Sequence, residues 1–152
     1  MATLLEELSL LISAFDENEI EYAVCGGLAL TIHGFPRATF DIDILIRPDS
    51  LESAFEIAAE KGYDIRGLDL SFKESAVEIR RVSKIDDNDE VISLDLILVT
   101  PMVQDVWESR ESLIWQDKTL WIVSRDGLIK MKTLAARAKD LIDIGRIEDE
   151  ES

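Results

Sequence analysis

The sequence predicts one domain of the α/β class, in its α+β form, spanning residues 1–145, with a long C-terminal helix and an acidic tail at 146–152. Three observations carry this. Segments with apolar residues at spacings of three and four are interleaved with segments of period two. Glycine, proline and clustered acidic residues punctuate the boundaries. The 152 residues, 47% of them apolar, suffice for one core and contain no internal repeat or linker.

Leu4, Leu5, Leu8, Leu11, Ile12 and Phe15 give residues 3–16 one apolar face and predict a packing helix. After the polar run 16–19, Tyr22 to Cys25 reads as a short strand leading into Gly26 and Gly27, with a helix over 28–33 ended by Gly34 and Pro36. Residues 40–46 alternate strictly, with Phe40, Ile42, Ile44 and Ile46 on one side and Asp41 and Asp43 on the other. Ser50 is the expected N-cap of a helix over 51–61, stopped by Gly62. Residues 63–74 fit neither period. Strands are expected at 76–82 and 91–99, joined through the polar turn 86–89. Pro101 opens a short helix to about Ser109, and 113–123 forms a hairpin around 116–118 that carries Trp115 and Trp121. Ser124 caps the final helix, which runs to Ile144 before Gly145.

Sixteen basic residues against thirty-two acidic ones give a net charge of −16. Such a surface repels polyphosphate at long range, which argues against extended DNA or RNA binding. No apolar run approaches the ~18 residues of a membrane span, and the N-terminus reads as an amphipathic helix instead of a leader, so a cytoplasmic protein is expected. Cys25 is expected to be a small buried residue, and no zinc-type Cys/His spacing is present.

The chemistry-bearing residues lie in two places. Glycines after a strand let backbone N–H groups approach phosphate, and two aspartates on one strand face, ~7 Å apart at Cα, can converge on a small cation. Each feature also has a plain structural explanation, as a tight turn and as a solvated strand face. Asp95 changes the balance. It is the only charge in the apolar run 91–99, and a lone buried carboxylate costs several kcal/mol unless a cation meets it. Asp41, Asp43 and Asp95 together would supply hard oxygen ligands for Mg²⁺ or Mn²⁺, and metals so held suit chemistry at a phosphoryl centre.

Gly26-Gly27, Asp41-Ile42-Asp43 and Asp95 resemble the signature of the nucleotidyltransferase superfamily with the polymerase-beta-like fold. Arg37-x-Thr39 ahead of the aspartates, and the run Leu128-Ile129-x-x-Lys132 through Arg137-x-Lys139-Asp140-x-x-Asp143, look like the minimal bacterial members related to AbiEii-type toxins. The resemblance spans about Tyr22 to Ile144. It implies a central mixed sheet flanked by helices and an enzyme moving a nucleotidyl group from a nucleoside triphosphate to an acceptor hydroxyl on RNA, a protein or a small molecule. It further implies that Gly26, Gly27, Arg37 and Thr39 bind the nucleotide and that Asp41, Asp43 and Asp95 bind metal. Asp95 would also help deprotonate the acceptor, with Lys132 and Asp140 near the chemistry. Gly27 stands where many members have serine, which removes one phosphate-binding hydroxyl. The added helical domain of larger relatives is not in evidence in the sequence, so the acceptor stays open. The alternative within the same resemblance is a weakly active binding or regulatory component of a toxin–antitoxin or defence system, working with a protein partner or as a small oligomer. Without the resemblance, Lys132 and the 137/140 and 139/143 pairs read as ordinary helix-surface charges, His33 as a packed or loop-facing side chain, and the tryptophans as core or interface packing.

Overall fold

The computed structural model describes residues 3–35, 41–72 and 76–134. Within them, α1 (Leu4–Glu17) starts at the N-cap Thr3, whose hydroxyl accepts the Glu6 N–H at 3.1 Å. The chain continues through β1 (Ala23–Cys25), α2 (Gly26–Ile32), β2 (Asp41–Ile46), α3 (Leu51–Glu60), β3 (Ile65–Arg66), β4 (Leu70–Phe72), β5 (Val77–Ile85), β6 (Val91–Leu98), α4 (Gln104–Glu108), β7 (Glu111–Trp115) and β8 (Lys118–Ile122). A further helix, α5, begins at 125 and is described through 134. The rest of the expected final helix and the acidic tail lie outside the described residues.

The eight strands make one mixed sheet in the order β3-β5-β6-β2-β1-β8-β7, with β4 pairing β5. β2 runs parallel to β6, and β1 parallel to β8, while the other neighbours are antiparallel. A mixed sheet with helices is therefore the observed architecture. One sheet face presents Ile42, Ile44, Ile46, Leu94, Leu96 and Val82, all buried. Leu8, Leu11, Ile12 and Phe15 of α1 and Ala54, Ile57 and Ala58 of α3 join them in one core. A second tie crosses this layer. Glu7 of α1, almost fully buried, accepts a 2.7 Å hydrogen bond from the Tyr63 hydroxyl and pairs with Lys84 of β5.

Several elements differ from expectation. Gly26 has φ +68, so the chain turns from β1 straight into α2 and the glycine pair forms the first turn of that helix instead of a loop before it. Ser50 does not cap α3 with its side chain, because Pro48–Ser50 is already a 3₁₀ turn that runs into the helix with Ser50 in a helical conformation. The stretch 63–74, which fits neither period, contributes the short strands β3 and β4, and β5 runs on to Ile85. The late hairpin forms with a two-residue turn at Gln116 and Asp117, both at positive φ, which matches the strand twist. Ser124 does cap α5, its hydroxyl accepting the Gly127 N–H at 3.1 Å.

Candidate active site

Strand register builds the site. Cys25 of β1 is opposite Asp43 of β2, Asp43 is opposite Asp95 of β6, and Asp95 is opposite Arg81 of β5. Directly opposed residues project to the same sheet face, so these four form one row across four strands. The neighbouring row on that face is Asp41, Ser93 and Ser83, whose serine hydroxyls are 3.0 Å apart. A polar patch is thus set into the otherwise apolar middle of the sheet.

The glycine motif meets the aspartate motif directly. A Cβ built on Gly26 would lie 2.0 Å from Asp43 Oδ2 and 2.8 Å from its Cγ. No side chain fits there, and the left-handed φ independently demands glycine. Gly27 follows in the first turn of α2.

The electrostatics follow from burial and like charge. Burial pushes the Asp43 carboxyl up to about 8, with Asp95 and then Asp41 adding to the effect and Arg81 opposing it. Asp41 is raised by burial as well, against the pull of Arg81. Burial, and then Asp43 and Asp95, push the Cys25 thiol well above its usual range, which suits the expected inert buried cysteine and not a nucleophile.

Asp95 is buried and needs a cation, and the fold supplies one from within. Arg81 Nε donates to Asp95 Oδ1 at 2.7 Å and Nη2 to Oδ2 at 2.9 Å, while Nη2 also reaches Asp41 Oδ2 at 3.5 Å. This two-pronged pair is the strong form of an ion pair. Arg81 is a site residue that no motif in the sequence marks. Its signal was there in Arg80 and Arg81 on a strand beside the one carrying a buried acid, but which arginine faces Asp95 depends on register.

A magnesium-type ion asks for oxygen ligands at about 2.0–2.1 Å in octahedral order, commonly one or two carboxylates with phosphates and water completing the shell. Among the described residues no group of three or more His, Cys, Asp or Glu side chains is arranged to hold a metal ion. The expected three-carboxylate metal centre does not fit as it stands, because both Asp95 oxygens are in the Arg81 fork. Asp41 and Asp43 are the two carboxylates of the patch that lie outside that two-pronged fork, although Arg81 Nη2 also approaches Asp41.

Of the other expected site residues, Lys132 is exposed on α5. Arg37, Thr39 and Asp140 lie outside the described residues, as do Phe40, Arg137, Lys139 and Asp143. His33 is a packing residue, as expected: its Nε2–H donates to the Val123 carbonyl at 2.9 Å. Trp121 stacks with Arg110, which also lies over Trp107.

A strand–glycine–helix turn packed on an Asp-x-Asp strand, with a third acid one strand away, sits in a mixed sheet of nucleotidyltransferase-type fold. The chain belongs to the family described as nucleotidyltransferase of unknown function (DUF6036), whose model matches residues 1–148. It is similar in fold to a Thermotoga maritima protein assigned as a nucleotidyltransferase, with a TM-score of 0.69 at 13% identity over 97% of this chain and 93% of that one. It is also similar to ANT(2")-Ia, whose structure holds adenylyl-2"-tobramycin, with a TM-score of 0.59 at 14% identity over 84% of this chain and 73% of that one. At these identities the likeness establishes the fold. No curated protein sequence matches the chain. None of the described helices is long and apolar enough to cross a membrane.

Proposed function

We propose that the protein transfers a nucleoside monophosphate from a nucleoside triphosphate to an acceptor hydroxyl, acting in the cytoplasm. The observation that carries this is the contact of Gly26 with Asp43. Two motifs seventeen residues apart meet, which a simple turn and a solvated strand face would not require. In this reading Gly26 and Gly27 leave the Asp43 side open to the triphosphate, with Arg37 and Thr39 contributing from the segment before β2. Asp41 and Asp43 would hold one Mg²⁺ or Mn²⁺ together with phosphate oxygens. That ion, when bound, would offset negative charge on the phosphates. The acceptor oxygen bonds to the α-phosphorus, the bond from that phosphorus to the pyrophosphate oxygen breaks, and the hydroxyl proton passes to a site carboxylate. Lys132 and Asp140 are retained as candidates near the phosphates and the carboxylates.

Incubation with each labelled nucleoside triphosphate, Mg²⁺ or Mn²⁺ and cell extract should label one acceptor, and Asp41→Asn and Asp43→Asn should abolish the labelling. Labelling that persists in both variants, or its absence under every condition, sinks the proposal. ANT(2")-Ia carries its product on a small molecule, so tobramycin-like polyamine sugars belong among the acceptors tried.

A second reading is a weakly active, AbiEii-like regulatory component with a protein partner. The Arg81–Asp95 pair favours it in one respect: the buried acid is stabilised without a metal, so its retention does not by itself require catalysis. Co-purification of a stoichiometric partner, with no labelled product, would select this reading.

A further inference from the structure

Resting on the nucleotidyl-transfer reading, we infer that Arg81 stands in the place of a second metal ion: the site takes a single divalent cation, on Asp41 and Asp43, and Asp95 is a positioning residue for Arg81.

Nη2 of Arg81 lies between two of the three carboxylates, 2.9 Å from Asp95 Oδ2 and 3.5 Å from Asp41 Oδ2. An ion shared by those two acids would have to occupy the same ground. The fork leaves neither Asp95 oxygen clear of the guanidinium, and a divalent cation drawn to either would be pressed against a fixed positive charge.

The guanidinium is also held from its stem. Gly67, between β3 and β4, lies flat on that stem: a Cβ at Gly67 would stand 3.2 Å from both Cβ and Cγ of Arg81, and the Gly67 N–H donates to the Arg81 carbonyl at 2.9 Å. With a bare glycine on one side and the Asp95 fork on the other, the side chain is set in one orientation. The side chain is nevertheless 41% exposed, which leaves it within reach of solvent and of a phosphate at Asp41 and Asp43. Arginine suits this task because its charge persists at any working pH and its planar donors match phosphate oxygens.

The test counts ions on the full chain. Mn²⁺ is titrated with α,β-methylene analogues of the four nucleoside triphosphates, and bound metal is followed by electron paramagnetic resonance, with circular dichroism checking the fold. Wild type should hold one Mn²⁺ per chain with no spin-coupled pair. Asp95→Asn should keep that ion within about threefold in affinity, whereas Asp41→Asn and Asp43→Asn lose it by tenfold or more. Arg81→Gln should weaken analogue binding at least tenfold and admit a second Mn²⁺ at Asp95. Gly67→Ala, which keeps the arginine but crowds its stem, should do the same in lesser degree and serves if Arg81→Gln fails to fold. Two coupled ions in wild type, or loss of Mn²⁺ in Asp95→Asn as severe as in Asp43→Asn, overturns this inference and leaves nucleotidyl transfer standing. No protein-held ion in wild type with any analogue overturns both.

Discussion

Replacing Gly26 by alanine tests the join between the two motifs. The substitution has two separable costs. Gly26 has φ +68, and a side chain in the left-handed region costs about 1–2 kcal/mol. The new methyl would also sit 2.0 Å from Asp43 Oδ2, and Asp43 is hemmed in on the sheet by Cys25 and Asp95. Forcing volume into such a place costs about 1–3 kcal/mol more. Gly34→Ala is the control, since Gly34 also has a left-handed φ, +98, yet a Cβ there meets nothing within 4 Å. Urea unfolding followed by circular dichroism should therefore place Gly26→Ala about 2–5 kcal/mol below wild type and Gly34→Ala about 1–2 kcal/mol below it. Gly26→Ala should also lose nucleotide binding, and Gly34→Ala should not. Equal stability of the two variants would refute the close packing of Gly26 on Asp43.

Three more outcomes follow from the same contacts. Asp43 is raised to about 8 in the folded chain, so folding favours its protonated form; this contribution is complete below its unfolded value of 3.8 and is lost as pH rises through about 8. Asp43→Asn should accordingly match wild type near pH 4 and exceed its stability by a few kcal/mol at pH 8, as read from urea midpoints; a constant difference across this range would contradict the shift. Lys84→Ala should cost about 3–5 kcal/mol by leaving Glu7 buried without its cation, and Glu7→Gln in that background should restore part of the loss in thermal melts. His33→Ala should cost about 1 kcal/mol, the hydrogen bond to the Val123 carbonyl, with nucleotide affinity unchanged in calorimetry.

Much of the fold was legible because the periods are clean. Residues 41–44 alternate acid and isoleucine before the apolar end of the strand, and 4–15 carry a continuous apolar stripe, so β2 and α1 were readable from local pattern alone. The short strands β3 and β4 were not. Two- and three-residue strands carry too few side chains to set a period, and they exist because β5 offers them an edge.

The sequence by itself determined the glycine pair, the three acids and the requirement that Asp95 meet a positive charge. Only the tertiary structure decided what that charge is. A four-residue turn over 86–89 would pair residue 85 with 90 and set Arg80 opposite Asp95. The chain instead closes its loop over five residues: Asp86 N–H donates to the Glu90 carbonyl, the Asp86 carboxylate accepts from Asn88 and Glu90 N–H groups, and Asp89 adopts φ +61. Ile85 then pairs with Val91, and Arg81 faces Asp95. Because side chains alternate along a strand, that single extra residue sends Arg80 to the other face and delivers Arg81 to the acids.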